Sequence, residues 1–135
     1  MKRIEETKVK DIMTYGAITV PENTSVMEAV NILVDGGVHG IVVINQRREP
    51  IGVVSEADIP KAFGRNFDDV QVTEIMYSPP EVIEMNKSVK DAREIMQNRH
   101  IHRLIVTDDS KEMRGILSLT DIIREIYKIS HNVRK

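Results

Sequence analysis

The chain is written twice. Residues 9–63 and 72–126 align without a gap, pairing residue 9 with 72 and residue 63 with 126. The match covers the apolar pattern: Ile12/Ile75, Met13/Met76, Val26/Val89, Ala29/Ala92, Ile32/Ile95 and Ile59/Ile122. It also covers residues that no core requires: Asn23/Asn86, Ser25/Ser88, His39/His102, Gly52/Gly115, Ser55/Ser118 and Asp58/Asp121. Two units that needed only to fold would repeat their buried positions, not a Gly, a Ser and an Asp at fixed spacing. The repeat therefore predicts two equivalent sites related by a pseudo-two-fold axis.

At 135 residues the chain is about the size of one ordinary domain. Each half alone stands near the lower limit for independent stability, so a core shared by both halves is expected. The formal net charge of −2 argues against nucleic acid as the main partner. With no cysteine, disulfides, thiolate zinc sites and cysteine nucleophiles are excluded. The opening MKRIEETKVKDIM carries no apolar run behind its basic residues, so no secretory signal is expected. No stretch approaches the roughly 20 apolar residues that span a bilayer. The expectation is a soluble, cytoplasmic protein without membrane contact.

Each half reads as strand, helix, strand, strand, helix. Short strands are predicted at 18–20 and 82–84. Ser25-Val-Met-Glu28 has the capping-box pattern, and Ser88-Val-Lys-Asp91 is its acidic variant. Val26, Ala29, Val30 and Leu33 then recur at helical spacing, and Gly36-Gly37 marks the end of that helix. The β-branched runs 40–44 and 103–107 read as buried strands, followed after polar turns by strands at 51–54 and 114–117. Helices are expected over 59–63 and 122–127, with 64–71 as a linker and 127–135 as a tail.

The chemistry lies in Gly52-Val-Val-Ser55-Glu-Ala-Asp58 and Gly115-Ile-Leu-Ser118-Leu-Thr-Asp121. A glycine at the strand start permits close approach of another backbone or of a ligand. Ser-x-x-Asp falls where a strand turns into a helix, and there free N–H groups and the positive helix end suit an anion such as phosphate. An ionised carboxylate only accepts hydrogen bonds, so it can take two vicinal hydroxyls of a ribose. Ser118 and Thr120 can donate to phosphate oxygens, and Arg103 and Arg124 can add charge-assisted bonds. Phosphate plus sugar diol means a nucleotide. The competing reading is that Ser and Asp serve only as helix caps, worth about 1 kcal/mol each without any ligand.

Asp11-Ile-Met-Thr14, the capped helix, His102-Arg-Leu-Ile-Val106 and the duplicated Gly-h-h-Ser-x-x-Asp resemble a tandem pair of cystathionine β-synthase (CBS) domains. The resemblance covers about residues 9–126. It implies an α/β fold of the α+β kind: two βαββα repeats, 9–63 and 72–126, packed through their sheets with pseudo-two-fold symmetry into one compact module. It also implies frequent pairing into a disc-shaped homodimer, and two clefts for adenosyl ligands: AMP, ADP, ATP, S-adenosylmethionine and sometimes NADH.

Carried over by position, the resemblance implies a preferred cleft of Ser118, Thr120 and Asp121 with Ile18, Val38 and His39, and Arg103 as a phosphate partner. The second cleft would join Ser55 and Asp58 to Glu81, Ile101 and His102. There the chain departs from the pattern. Ala57 stands in the place of Thr120, Glu56 adds negative charge, and Glu81 replaces the apolar residue represented by Ile18. Lys61 partly compensates. The Asp121 cleft is thus the better place for a phosphorylated ligand.

The four histidines, at 39, 100, 102 and 131, lack a carboxylate cluster to complete a metal shell, so no metal is expected. Six of the seven methionines, at 13, 27, 76, 85, 96 and 113, read as packing residues. Lys128, His131, Arg134 and Lys135 form a short basic tail that reads as a solvated helix end. No Ser-His-Asp spacing or duplicated acid–base pair supports catalysis. The expectation is a stand-alone regulatory module that binds an adenosyl nucleotide and signals to an unidentified protein effector or through its own dimer. The alternative is a ligand-free dimerisation scaffold.

Overall fold

The computed structural model describes residues 3–132. Its helices and strands, in chain order, are α1 (Val9–Ile12), β1 (Thr14–Tyr15), β2 (Thr19–Pro21), α2 (Val26–Asp35), β3 (Gly40–Ile44), β4 (Pro50–Ser55), β5 (Val82–Glu84), α3 (Val89–Arg99), β6 (Arg103–Thr107), β7 (Met113–Ser118) and α4 (Leu119–Asn132). Short 3-10 segments lie at Ile4–Glu6, Glu56–Ala62 and Val72–Glu74. The fold is mixed α+β, and both repeats keep the predicted order. Of the predicted basic tail, Arg134 and Lys135 lie outside the described residues.

The compact units do not follow the sequence repeats. One takes residues up to 16 together with those from 81 onward, and the other takes residues 17–80. In the first, the sheet order is β1-β7-β6-β5, with β1 antiparallel to β7, β6 antiparallel to β7 and β5 parallel to β6. In the second, the order is β2-β3-β4, with β2 parallel to β3 and β3 antiparallel to β4. The segment that opens each sequence repeat therefore joins the unit built on the other repeat.

The expected sharing of a core by both halves takes the form of two buried clusters, each drawing residues from both halves of the sequence. Each unit has its own buried cluster. Val20, Val26, Ala29, Leu33, Ile41, Val43 and Val54 are joined by Val70, Val72 and Ile75 in the 17–80 unit. Ile83, Val89, Ala92, Met96, Leu104, Val106 and Leu117 are joined by Val9 and Met13 in the other. The incoming segments enlarge each core beyond what one βαββα repeat supplies, which offsets the size problem of a small domain. The 64–71 segment connects the repeats and is itself packed. Val70 is 1% exposed, and the N–H groups of Val26 and Met27 bond to the carbonyls of Val70 and Phe67.

The caps explain where the helices begin. Ser25 Oγ accepts from the Glu28 N–H at 3.1 Å, and Ser88 with Asp91 forms the reciprocal box. The last helices of the two repeats diverge. α4 runs on to Asn132, whereas 56–62 is a short 3-10 helix where an α-helix over 59–63 was expected. Pro60 stands where the second repeat has Ile123. Its ring and missing N–H work against continuation of an α-helix.

Candidate functional site

At the start of α4, Ser118 and Asp121 hold each other. The Ser118 N–H donates to Asp121 Oδ2 at 2.9 Å, and the Asp121 N–H donates to Ser118 Oγ at 3.1 Å. Asp121 Oδ1 accepts from the Thr14 hydroxyl at 3.1 Å and from Arg124 Nη1 at 3.4 Å. The carboxylate is buried, with its side chain 5% exposed. A groove of about 580 Å³ lies alongside, lined by Ile101, His102, Arg103, Ser118, Leu119, Thr120 and Ile123. Its edge carries the exposed Arg103, His102 and Thr120 beside the amino end of a 14-residue helix. Cation, hydroxyl and helix end all favour an anion there.

The matching turn in the 17–80 unit is wired differently. Both the N–H and the hydroxyl of Ser55 donate to Asp58 Oδ2, at 2.8 and 3.1 Å. Lys61 Nζ donates to Asp58 Oδ1 at 2.9 Å and to the Ile75 carbonyl at 3.3 Å. Burial raises the Asp58 pKa, but the Lys61 ammonium and the two Ser55 donors outweigh it. The carboxyl is held below its ordinary value. A short 3-10 helix behind this turn gives a weaker aligned dipole than α4 does.

A model of the CBS domain matches residues 9–65 and 72–128. The chain belongs to the CBS domain family. Its likeness to the Arabidopsis thaliana CBS-pair protein CBSX2, solved in complex with AMP, has a TM-score of 0.75 at 27% identity, covering 92% of this chain and 98% of that one. The CBS domain pair of protein MJ0100, solved with 5′-methylthioadenosine and S-adenosyl-L-methionine, is 28% identical with a TM-score of 0.72, covering 89% of this chain and 99% of that one. Among curated relatives, an uncharacterized protein of Methanopyrus kandleri is 27% identical over 124 residues. That match takes in 90% of this chain and 63% of the relative, so the chain spans less than two thirds of that protein's length.

Within this CBS pair, the groove gathers Arg103, Ser118 and Thr120, three of the residues expected together. It also takes in Ile101 and His102, which were expected in the second cleft. Asp121 sits next to the groove without lining it. Ile18, Val38 and His39 belong to the 17–80 unit. There Ile18 Cδ1 and Val38 Cγ2 flank Gly36, and His39 Nδ1 meets Glu56 Oε1 at 3.2 Å. Glu81, at the start of the other unit, has a 3.8 Å ion pair with Arg99, so its charge is partly matched.

Thr14 is the residue that sequence reasoning missed. It stood in plain view inside Asp11-Ile-Met-Thr14, but nothing in the spacing tied it to Asp121. The two glycines have a definite task. A Cβ on Gly115 would run into the Thr14 carbonyl and Met13 Cε, and one on Gly52 would run into the Met76 side chain and the Tyr77 carbonyl. Of the two reasons for a glycine here, the structure supplies close approach of another backbone. A larger hollow of about 1120 Å³ lies between Ile4–Glu6, α3 and α4, lined by Ile4, Met96, Ile122 and Ile126 with Lys90 and Arg93. It too takes in a helix cap, Ser88 at the start of α3, but not the Ser118–Asp121 turn or the Thr120 hydroxyl. Among the described residues no group of three or more His, Cys, Asp or Glu could hold a metal ion, and no helix is long and apolar enough to cross a membrane.

Proposed function

We propose that the chain is a regulatory CBS module that binds an adenosyl nucleotide at the Ser118–Asp121 turn. The observation that carries this reading is the groove at the head of α4. A serine–aspartate turn, the Thr120 hydroxyl and the Arg103 guanidinium converge there, in a chain similar to pairs solved with AMP and with S-adenosyl-L-methionine. Phosphate would meet Thr120, Ser118 and Arg103, and the ribose diol would meet Asp121. A cationic adenosyl group such as S-adenosylmethionine suits the same carboxylate and uses Arg103 less. Ser55, Asp58 and Lys61 are proposed to form the counterpart turn of the 17–80 unit.

Signalling runs through differential binding, since a ligand shifts only an equilibrium whose states it distinguishes. A cytoplasmic homodimer and a protein effector are the proposed recipients. The apolar face of α4, with Leu119 41%, Ile123 58%, Ile126 47% and Tyr127 62% exposed, supports self-association. A second reading, the ligand-free scaffold, is favoured by the burial of both aspartates as caps.

The discriminating experiment is thermal unfolding against AMP, ADP, ATP, S-adenosylmethionine and NADH. Asp121→Asn serves better than Asp121→Ala here. Alanine would strip partners from the Ser118 N–H, Thr14 and Arg124, and would change the fold as well as the site. A concentration-dependent rise in midpoint with one ligand, reduced in Asp121→Asn, supports the sensor. No rise with any of them to millimolar concentration selects the scaffold.

A further inference from the structure

Each aspartate is tied to the chain segment that enters its unit from the other sequence repeat. In one unit the tie is direct. The Thr14 hydroxyl, on β1, bonds to Asp121 Oδ1. In the other it runs through Lys61, whose ammonium bridges Asp58 and the Ile75 carbonyl. The duplicated glycines let these segments lie close: Gly115 receives Met13 and Thr14, and Gly52 receives Met76 and Tyr77. β1 is only two residues long, and besides its pairing with β7 the neighbouring Gly16 N–H bonds to the Arg114 carbonyl at 3.1 Å.

We propose that Thr14 is a positioning residue that orients the Asp121 carboxylate for a vicinal diol and couples β1 to occupancy of the site. The inference rests on the adenosyl-binding reading above. A carboxylate offers about four acceptor positions. Among the described residues Ser118, Thr14 and Arg124 use three of those on Asp121, which leaves one on Oδ2 without a protein donor. A diol needs two. The bond to Arg124 is the longest, and its side chain is 59% exposed, so it yields first and frees a position on Oδ1. Thr14 and Ser118 then hold one oxygen each and fix the carboxylate plane while the diol spans both oxygens. At Asp58 the corresponding positions are tighter. Both on Oδ2 are taken by Ser55, and the cation on Oδ1 is anchored a second time at Ile75. The Asp121 turn is the one that can admit a sugar.

The test compares wild type, Thr14→Val and Thr14→Ser by calorimetry with AMP and with 2′,3′-dideoxy-AMP. Hydrogen exchange is read at the Gly16 amide in parallel. Thr14→Val is expected to weaken AMP about three- to tenfold, the effect of one hydrogen bond, and to leave the dideoxy compound unchanged. Thr14→Ser is expected to restore both AMP affinity and the ligand-dependent protection of Gly16. Equal losses for both compounds would make Thr14 merely structural, and unchanged AMP affinity in Thr14→Val would also overturn the inference. Wild-type protein indifferent to AMP, ADP, ATP and S-adenosylmethionine would overturn the binding reading itself and this inference with it.

Discussion

Lys61 closes on Asp58 at 2.9 Å, three residues along the same short helix, and the pair sits where the second repeat has Arg124 3.4 Å from Asp121. The same duplicated geometry thus carries a short, doubly anchored lysine in one unit and a longer, looser arginine in the other. Each carboxylate has three donors, and the contrast lies in its cation: anchored twice at Asp58, long and exposed at Asp121.

The Asp58 contact makes stability depend on pH. The folded carboxyl titrates below its ordinary value of 3.8, so the unfolded chain takes up its proton first as acid is added. The contribution is complete above the ordinary aspartate range and is lost as pH falls through the folded value. Asp58→Asn is predicted to lower stability at neutral pH by roughly 1 kcal/mol, a modest figure because Lys61 is half exposed. It should also flatten the acid limb of the stability curve below about pH 5. Glu74 and Asp108 are held low as well, so part of the slope will persist. Urea unfolding of both proteins across acid pH checks this, and parallel acid limbs would refute it.

The two glycines should not be equally sensitive. Gly115→Ala must push back the Thr14 main chain and is predicted to cost about 1–3 kcal/mol. Gly52→Ala first meets the flexible end of Met76 and should cost less. Midpoints of chemical denaturation decide the order. Equal losses would mean that the approach of β1 is not what Gly115 protects.

His100 ends α3 in the left-handed conformation, φ 55°, at the position that Gly37 fills with φ 60° after α2. A left-handed non-glycine residue costs roughly 1–2 kcal/mol, and glycine returns part of that as chain entropy. His100→Gly is therefore predicted to stabilise the protein by about 0.5–1 kcal/mol. A lower unfolding midpoint would show that the imidazole makes a compensating contact.

The exposed α4 face can be tested apart from any ligand. Tyr127→Glu places a charge on that face at a residue that lines neither hollow, and is predicted to weaken the proposed self-association by at least roughly tenfold. Sedimentation across a concentration series measures this. A variant that associates like wild type would remove this face as the dimer contact.

Much of the site was legible before folding. The strand runs 40–44 and 103–107, the serine caps at 25 and 88 and the Ser-x-x-Asp turns are local features, set by residues within a few positions of one another. Local sterics and hydrogen bonding act at that range, so pattern alone reports them. Pro60 was equally visible, and it accounts for a helix of 3-10 rather than α type there.

What the tertiary structure decided lies at long range. Thr14 meets Asp121 across more than a hundred residues, Lys61 reaches the Ile75 carbonyl, and the segment opening each repeat packs on the strand of the other. No spacing rule contains these contacts, because strand pairing joins residues whose separation along the chain is arbitrary. The sequence by itself determined that there are two repeats, with a capped aspartate turn in each. Only the folding of Met13–Thr14 onto Gly115 brought the Thr14 hydroxyl to Asp121, whereas Asp58 is held by its own sequence neighbours Ser55 and Lys61 and tied to Ile75 through Lys61. The reason is that a buried carboxylate takes whichever donors the packed backbone brings within reach.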